Sequence, residues 1–358
     1  MIFSLILTPL VALASPTHRS LRLLGRETTG VNSFNNTNLA QPATTIFPQK
    51  ASSDAPFSLS ENTLRSAIYI PSTFEYGSGS KSPVILIPGT SLPAGTTYSN
   101  GFGKLLANTS YADPVWVNIP GYSLGDAQVN AEYVAYAINY IAGVSKGKNI
   151  SLVSWSQGGP NIQWSLKYWP STREVVNDFV ALSPDFKGTT EAILICSGLT
   201  GDLCEPSILQ QENTSEYIAT LRNNGGDSAY VPTTTFYSST DEIVQPQDGK
   251  NASAYILDAR NVGVTNNQVQ SVCSNSTQIV LHEGALYNSV AWGLIEDALT
   301  HDGPGQISRL DIQTLCKAAA APGLDSLLGE SIIVNAVPNI LAYHPKATKE
   351  PAIASYAG

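Results

Sequence analysis

From Lys81 onward the chain alternates short apolar runs rich in β-branched residues with segments whose apolar positions recur at helical spacing. That alternation admits few solutions, because parallel strands need crossover connections and the crossover helices must cover the sheet. The runs at residues 84–87, 115–117, 150–155, 179–182, 234–237 and 278–281 are the expected strands. Between the second and third, Asp126 is placed to cap a helix carrying Val129, Tyr133, Ala137, Ile138 and Ile141 on one stripe. A second helix should follow Trp155 and stop at Pro170, and a third should run over residues 286–299. The expectation is an α/β fold: a mostly parallel central sheet with helices on both faces.

Ahead of this region, residues 1–14 are almost wholly apolar and end in Ala12-Leu13-Ala14, the small-x-small pattern read by signal peptidase. The stretch falls short of the roughly 20 residues that span a bilayer, so it predicts a signal peptide and export, with no stable membrane insertion. Residues 15–50 are rich in Ser, Thr, Asn and Arg, with Arg19, Arg22 and Arg26 before a polar run that lacks an apolar period. They read as a propeptide or disordered leader, which leaves one domain over residues 51–358. Sequons at Asn35, Asn108, Asn149, Asn213, Asn251 and Asn275 agree with a secretory route to an extracellular protein. Four cysteines allow three pairings. Cys196 and Cys204 are close enough to staple a short loop, leaving Cys273 with Cys316, and an oxidising compartment permits both bridges. No CxxC is present, which argues against zinc and thiol redox chemistry. The 28 acids against 19 bases leave a net charge of −9, a sign that excludes nucleic acid and anionic membranes as partners.

The chemistry concentrates after the third expected strand, in Ser154-Trp155-Ser156-Gln157-Gly158-Gly159. A tight strand-to-helix turn there would lift Ser156 above the C-terminal edge of the sheet, and the close backbone packing asks for small residues two places to either side. Ser154 and Gly158 meet that demand. The following helix would aim its N-terminal amides, Gln157 among them, at the spot where an oxyanion would form. A serine hydroxyl needs a base, and the chain has four histidines. His18 lies in the leader, His301 follows a predicted helix, and His344 precedes Pro345 near the end. His282 stands directly after the last expected strand, where an imidazole can reach over the sheet edge. Its orienting carboxylate would be Asp241, reached through Ser238-Ser239-Thr240 from the strand before, with Glu242 as the neighbouring alternative. The loop Pro88-Gly89-Thr90 could supply a second oxyanion donor through the amide and hydroxyl of Thr90.

These residues resemble the lipase B type of Candida antarctica, within the α/β-hydrolases. The resemblance is carried by Leu86-Ile87-Pro88-Gly89-Thr90, Gln128-Val129-Asn130-Ala131-Glu132-Tyr133, Trp155-Ser156-Gln157-Gly158-Gly159, Pro184-Asp185-Phe186-Lys187-Gly188-Thr189, Val231-Pro232-Thr233-Thr234 and Thr240-Asp241-Glu242-Ile243-Val244-Gln245-Pro246-Gln247, in family order. It implies an α/β-hydrolase fold with a short helical cap region. It also implies Ser156, Asp241 and His282 as the triad and Thr90 with Gln157 as the oxyanion hole. Trp155 would form the floor of the alcohol pocket, Asp185 would be a buried carboxylate beside the site, and Ile243 with Val244 would line the acyl channel. Cys273 and Cys316 match a family pair, whereas Cys196 and Cys204 are extra and fall near the pocket mouth. Val115 replaces a family cysteine, Ser91 a glycine after the oxyanion threonine, and Glu283 an alanine after the histidine.

The function expected is a secreted serine ester hydrolase cleaving fatty-acyl esters through an acyl-enzyme, with transesterification when water is scarce. Neither metal nor organic cofactor is needed, the partner is a lipid or ester substrate at an oil–water interface, and a monomer is expected. A carboxylesterase for short or polymeric esters would share every catalytic residue. An inactive hydrolase fold used for binding would be expected to lack part of the triad.

Overall fold

The computed structural model describes residues 29–192, 196, 203–274 and 278–358. The expected signal peptide at residues 1–14, residues 15–28 of the expected leader with His18, and the sequon at Asn275 lie outside the described residues. Seven strands form one sheet: β1 (Ile68–Tyr69), β2 (Ser82–Ile87), β3 (Ala112–Val117), β4 (Ile150–Trp155), β5 (Val176–Leu182), β6 (Thr233–Tyr237) and β7 (Val264–Gln268). Their spatial order is β1-β3-β2-β4-β5-β6-β7, and every neighbouring pair is parallel except β1 with β3.

The period-two alternation of the strands sorts their side chains between two cores. Ile85, Ile87, Val115, Leu152, Phe179 and Ala181 pack with Val134, Ala137, Ile138 and Ile141 of helix α1 (Ala127–Val144). Val84, Leu86, Val153, Val180, Leu182 and Phe236 face the other way, toward Val290, Leu294 and Ile295 of a helix at Ser289–Thr300. Asp126 caps α1 as expected, its carboxylate accepting from Gln128 N at 2.9 Å. Helix α2 (Gly158–Tyr168) follows β4. Farther along come α3 (Pro206–Gln210), α4 (Glu216–Arg222), α5 (the Ser289–Thr300 helix) and α6 (Leu328–Ala342).

Two expectations fail here for stated reasons. Residues 278–281 are not a strand: Val280 offers both its N–H and its carbonyl to Thr240 Oγ1, at 3.0 and 3.1 Å, instead of to a ladder. The edge position belongs to β7, whose sequence Val264-Thr265-Asn266-Asn267-Gln268 has no apolar run because its side chains are only partly covered. The leader also behaves differently from Thr29 onward. Val31 O accepts from Trp116 Nε1 at 2.8 Å and Asn118 Nδ2 at 2.9 Å, Ala40 O accepts from Tyr140 OH at 2.8 Å, and Ile46 is buried. These contacts are made through backbone carbonyls, so no apolar period announces them. Residues 40–43 lie against α1, where Ala43 N also donates to Gly143 O at 3.0 Å, and add to the cover of that helix.

The cysteines are joined as Cys196–Cys204 and Cys273–Cys316. Between Cys196 and Cys204, where the helical cap region is expected, residues 197–202 lie outside the described residues, as do 193–195. Among the described residues no helix is long and apolar enough to cross a membrane.

Candidate active site

Parallel strands bring their C-terminal ends to one edge of the sheet, and four loops meet there. The turn between β4 and α2 holds Ser156 at φ +56°, a left-handed conformation that costs a non-glycine residue about 1–2 kcal/mol. Its backbone N–H is tied to Leu182 O at 2.9 Å on the neighbouring strand. Gly158 is required by contact: a Cβ there would lie 2.8 Å from the carbonyl oxygens of Ile87 and Pro88 and 3.1 Å from Ser154 Cβ. The expected small residues at 154 and 158 therefore serve one close approach between this turn and the end of β2. That approach lays the loop after β2 against the serine, with Gly89 close enough that an added Cβ would meet Ser156 Cβ at 2.7 Å.

The loop after β6 carries Asp241. Its Oδ1 accepts from the amides of Ile243 at 3.0 Å and Val244 at 2.8 Å, and its Oδ2 lies 2.8 Å from His282 Nδ1. Both groups are buried. Two amide donors on one oxygen lock the carboxylate, so its second oxygen points at the imidazole in a fixed direction. His282 opens a 3₁₀ turn, His282–Leu286, and its carbonyl accepts from Trp155 Nε1 at 3.1 Å. The indole and imidazole rings are 4.9 Å apart. Trp155, the residue before Ser156, is thus tied to the histidine. Glu242 plays a different part from its neighbour, because its Oε2 accepts from the backbone N–H of His282 at 3.0 Å and not from the ring. His301 and His344 are exposed, and His301 pairs with Asp297 on its own helix.

Thr90 Oγ1 donates to Gln211 Oε1 at 3.1 Å and accepts from Gln157 Nε2 at 2.9 Å. Gln157 Oε1 in turn accepts from Asn130 Nδ2 at 3.1 Å. This chain fixes the threonine hydroxyl beside the first amides of α2.

A lipase B from Pseudozyma antarctica is 33% identical over 283 residues, covering 77% of this chain and 79% of that protein. The chain belongs to the lipase B family. No family model matches the sequence. The crystal structure of Aspergillus fumigatus lipase B is 53% identical, covers 93% of this chain and 80% of that one, and superposes with a TM-score of 0.89. The α/β-hydrolase fold follows from these relatives and from the seven-stranded sheet, and the protein is a carboxylic ester hydrolase, a serine lipase or esterase.

Within this lipase B site the electrostatics are dominated by acids. Burial alone would lower the imidazole of His282, but the charge and hydrogen bond of Asp241 oppose it, with Glu242 and Glu283 adding, and the ring is pushed up to about 9. Asp185 is fully buried, neither of its carboxylate oxygens meets a hydrogen-bond partner, and burial pushes it up to about 7. Burial likewise raises Glu242. Among the described residues no group of three or more His, Cys, Asp or Glu side chains could hold a metal ion.

The structure gives Ile243 and Val244 a part not foreseen, since their amides, not only their side chains, hold the Asp241 carboxylate. Ile243 O also accepts from Thr189 Oγ1 at 2.7 Å. Gln211 was missed, being separated from Thr90 by 121 positions with no local pattern to connect them. Asn339 was missed for the same reason. It lies on α6 and donates to Ser91 O at 2.8 Å, while Ser91 N donates to Tyr122 O at 2.7 Å. Ser91 holds φ +71°, the left-handed region that suits glycine.

Proposed function

We propose that the protein is a secreted lipase that cleaves fatty-acyl esters through an acyl-enzyme on Ser156. The observation that carries this reading is the buried His282 Nδ1–Asp241 Oδ2 contact of 2.8 Å, with the same imidazole set against Trp155, the residue preceding Ser156. With Nδ1–H committed to the carboxylate, Nε2 is left to take the proton from Ser156 as the hydroxyl attacks the ester carbonyl. Asp241 steadies the resulting imidazolium. The developing oxyanion accepts from the Gln157 amide and from Thr90, whose hydroxyl must turn away from Gln211 to reach it. His282 then returns the proton to the leaving alcohol, and water or a second alcohol releases the acyl group by the same steps in reverse. Trp155 limits the alcohol side and Ile243 with Val244 the acyl side.

Leu327, Val334 and Leu341, on and beside α6, are exposed large apolar side chains and support action at an oil–water surface. Export is supported by the apolar N-terminal stretch, two disulfides, and the exposure of Asn35, Asn108, Asn149, Asn213 and Asn251. In this reading the segment from Thr29 packs with residues 51–358 in one catalytic domain, and the enzyme works as a monomer. The test is treatment of the secreted protein with a fluorophosphonate, followed by mapping of the adduct by mass spectrometry. An adduct at Ser156 is expected; labelling of another serine, or none on folded protein, refutes the mechanism. Rates that climb sharply once a long-chain ester exceeds its solubility separate the lipase from a short-chain esterase.

A further inference from the structure

One buried acid beside the site has no role in the chemistry above. Glu283 follows His282 directly, yet its side chain turns inward: the residue is 8% exposed and its Oε2 is buried without a hydrogen-bond partner. The first turn of α6 roofs it. A Cβ added to Gly329 on that turn would lie 2.8 Å from Glu283 Cγ and 3.0 Å from Tyr287 Cε1, so the glycine leaves the slot that the acid fills. A carboxyl that loses its hydration with one oxygen left unpartnered is costly to ionise, and packing alone gains nothing from one. What it can contribute is charge. The acids that bear on His282 are Asp241 and Glu242 from the loop after β6, Asp185 from the loop after β5, and Glu283 from its own turn, with Tyr287 beside Glu283 under Gly329.

We propose that Glu283 is a positioning residue that sets the pH range in which His282 serves as the base: ionised, it holds the proton on the imidazole, and neutral, it lets the imidazole release it. This rests on the reading of Ser156, Asp241 and His282 as the triad. Burial, with the charge of Glu242 adding, keeps Glu283 protonated up to about pH 7, whereas the imidazole keeps its proton to about 9. Between those values Glu283 is charged and the imidazolium is favoured. There the carboxylate slows the enzyme, and below that window it is silent.

The experiment is the pH dependence of fluorophosphonate labelling, with the adduct mapped, in wild type, Glu283→Gln and Glu283→Asp. Glu283→Gln should label Ser156 roughly three- to eightfold faster than wild type between pH 7 and 8.5, with the limb moved acidward by about half to one pH unit. Glu283→Asp should restore the wild-type limb. If Glu283→Gln does not fold, Glu283→Ala, which removes the carboxyl without leaving a polar group buried, must give the same shift. A limb unmoved in a folded variant, with Ser156 still labelled, overturns the role of Glu283 and leaves the triad intact. A wild-type adduct on another serine overturns both.

Discussion

Replacing Asp241 by asparagine keeps the shape of the side chain and tests the histidine's orientation directly. Oδ1 receives two amide hydrogens, from Ile243 at 3.0 Å and Val244 at 2.8 Å. The asparagine oxygen must take that place, because turning its NH₂ toward the two amides would leave buried donors facing donors, at about 1–3 kcal/mol each. The NH₂ then faces His282 Nδ1, which can only accept, so the ring proton moves to Nε2, the nitrogen that should receive the proton of Ser156. The variant also loses the charge that supports the imidazolium. Wrong tautomer and lost charge together should lower kcat by about 10³–10⁴-fold, or roughly 4–5.5 kcal/mol, with little change in KM. The assay is steady-state hydrolysis of p-nitrophenyl butyrate, with melting temperature and circular dichroism as controls for folding. A loss of less than tenfold in a protein that melts within a few degrees of wild type would refute the argument.

Activity should rise with pH through neutrality and reach half its maximum near pH 9, because the base must be neutral and its pKa is raised; a kcat/KM profile flat from pH 6 to 9 contradicts this. Stability runs the other way. A folded-state pKa above the unfolded value of about 6.5 contributes stability that is complete below about pH 6.5 and lost as pH rises through about 9, and His282→Gln should remove that slope from denaturant titrations. Gly158→Ala places a Cβ 2.8 Å from two backbone carbonyls that cannot yield, and should lower stability by roughly 1–3 kcal/mol in chemical denaturation. Removing the Cys273–Cys316 bridge, which closes a loop of 43 positions, should cost about 4 kcal/mol by the chain-entropy relation, read as a lower denaturation midpoint. Glycan release from protein secreted by a eukaryotic host should lower its mass, with conversion to aspartate mapping to the exposed sequons; an unchanged mass would exclude their use.

What the sequence displays is what local chemistry dictates. β2, β4 and β5 are legible because burial of both faces of an interior parallel strand favours apolar runs, and β6 because its Thr, Phe and Tyr suit a buried strand. β7 escapes because an edge strand with partly covered side chains tolerates Thr, Asn and Gln. The serine turn, its glycine and the capped helix α1 are local and can be read directly. Asp241 is legible at the end of β6, whereas His282, 41 positions on, was reached from a strand at 278–281 that the structure replaces by a segment bonded to Thr240. Nothing comparable links Thr90 to Gln211 or Ser91 to Asn339, where one amide side chain meets one loop across more than a hundred positions.

The second of those contacts comes from α6, a helix that also reaches the base side of the site. α6 donates from Asn339 to the loop that carries Thr90, roofs Glu283 at Gly329, and buries Ile332 in the core between them. The oxyanion side and the base side of the site are therefore referenced to one helix, while Ser156 is referenced to the sheet through Leu182. A displacement of α6 would move the threonine and the acid beside the histidine together, relative to a serine that stays in place. Val334 and Leu341 are exposed on the same helix. Asn339→Ala releases only the oxyanion loop. It should reduce kcat on dissolved and emulsified esters alike without moving the pH limb, whereas a shift of that limb would show that the two halves are coupled through the loop and not through the helix.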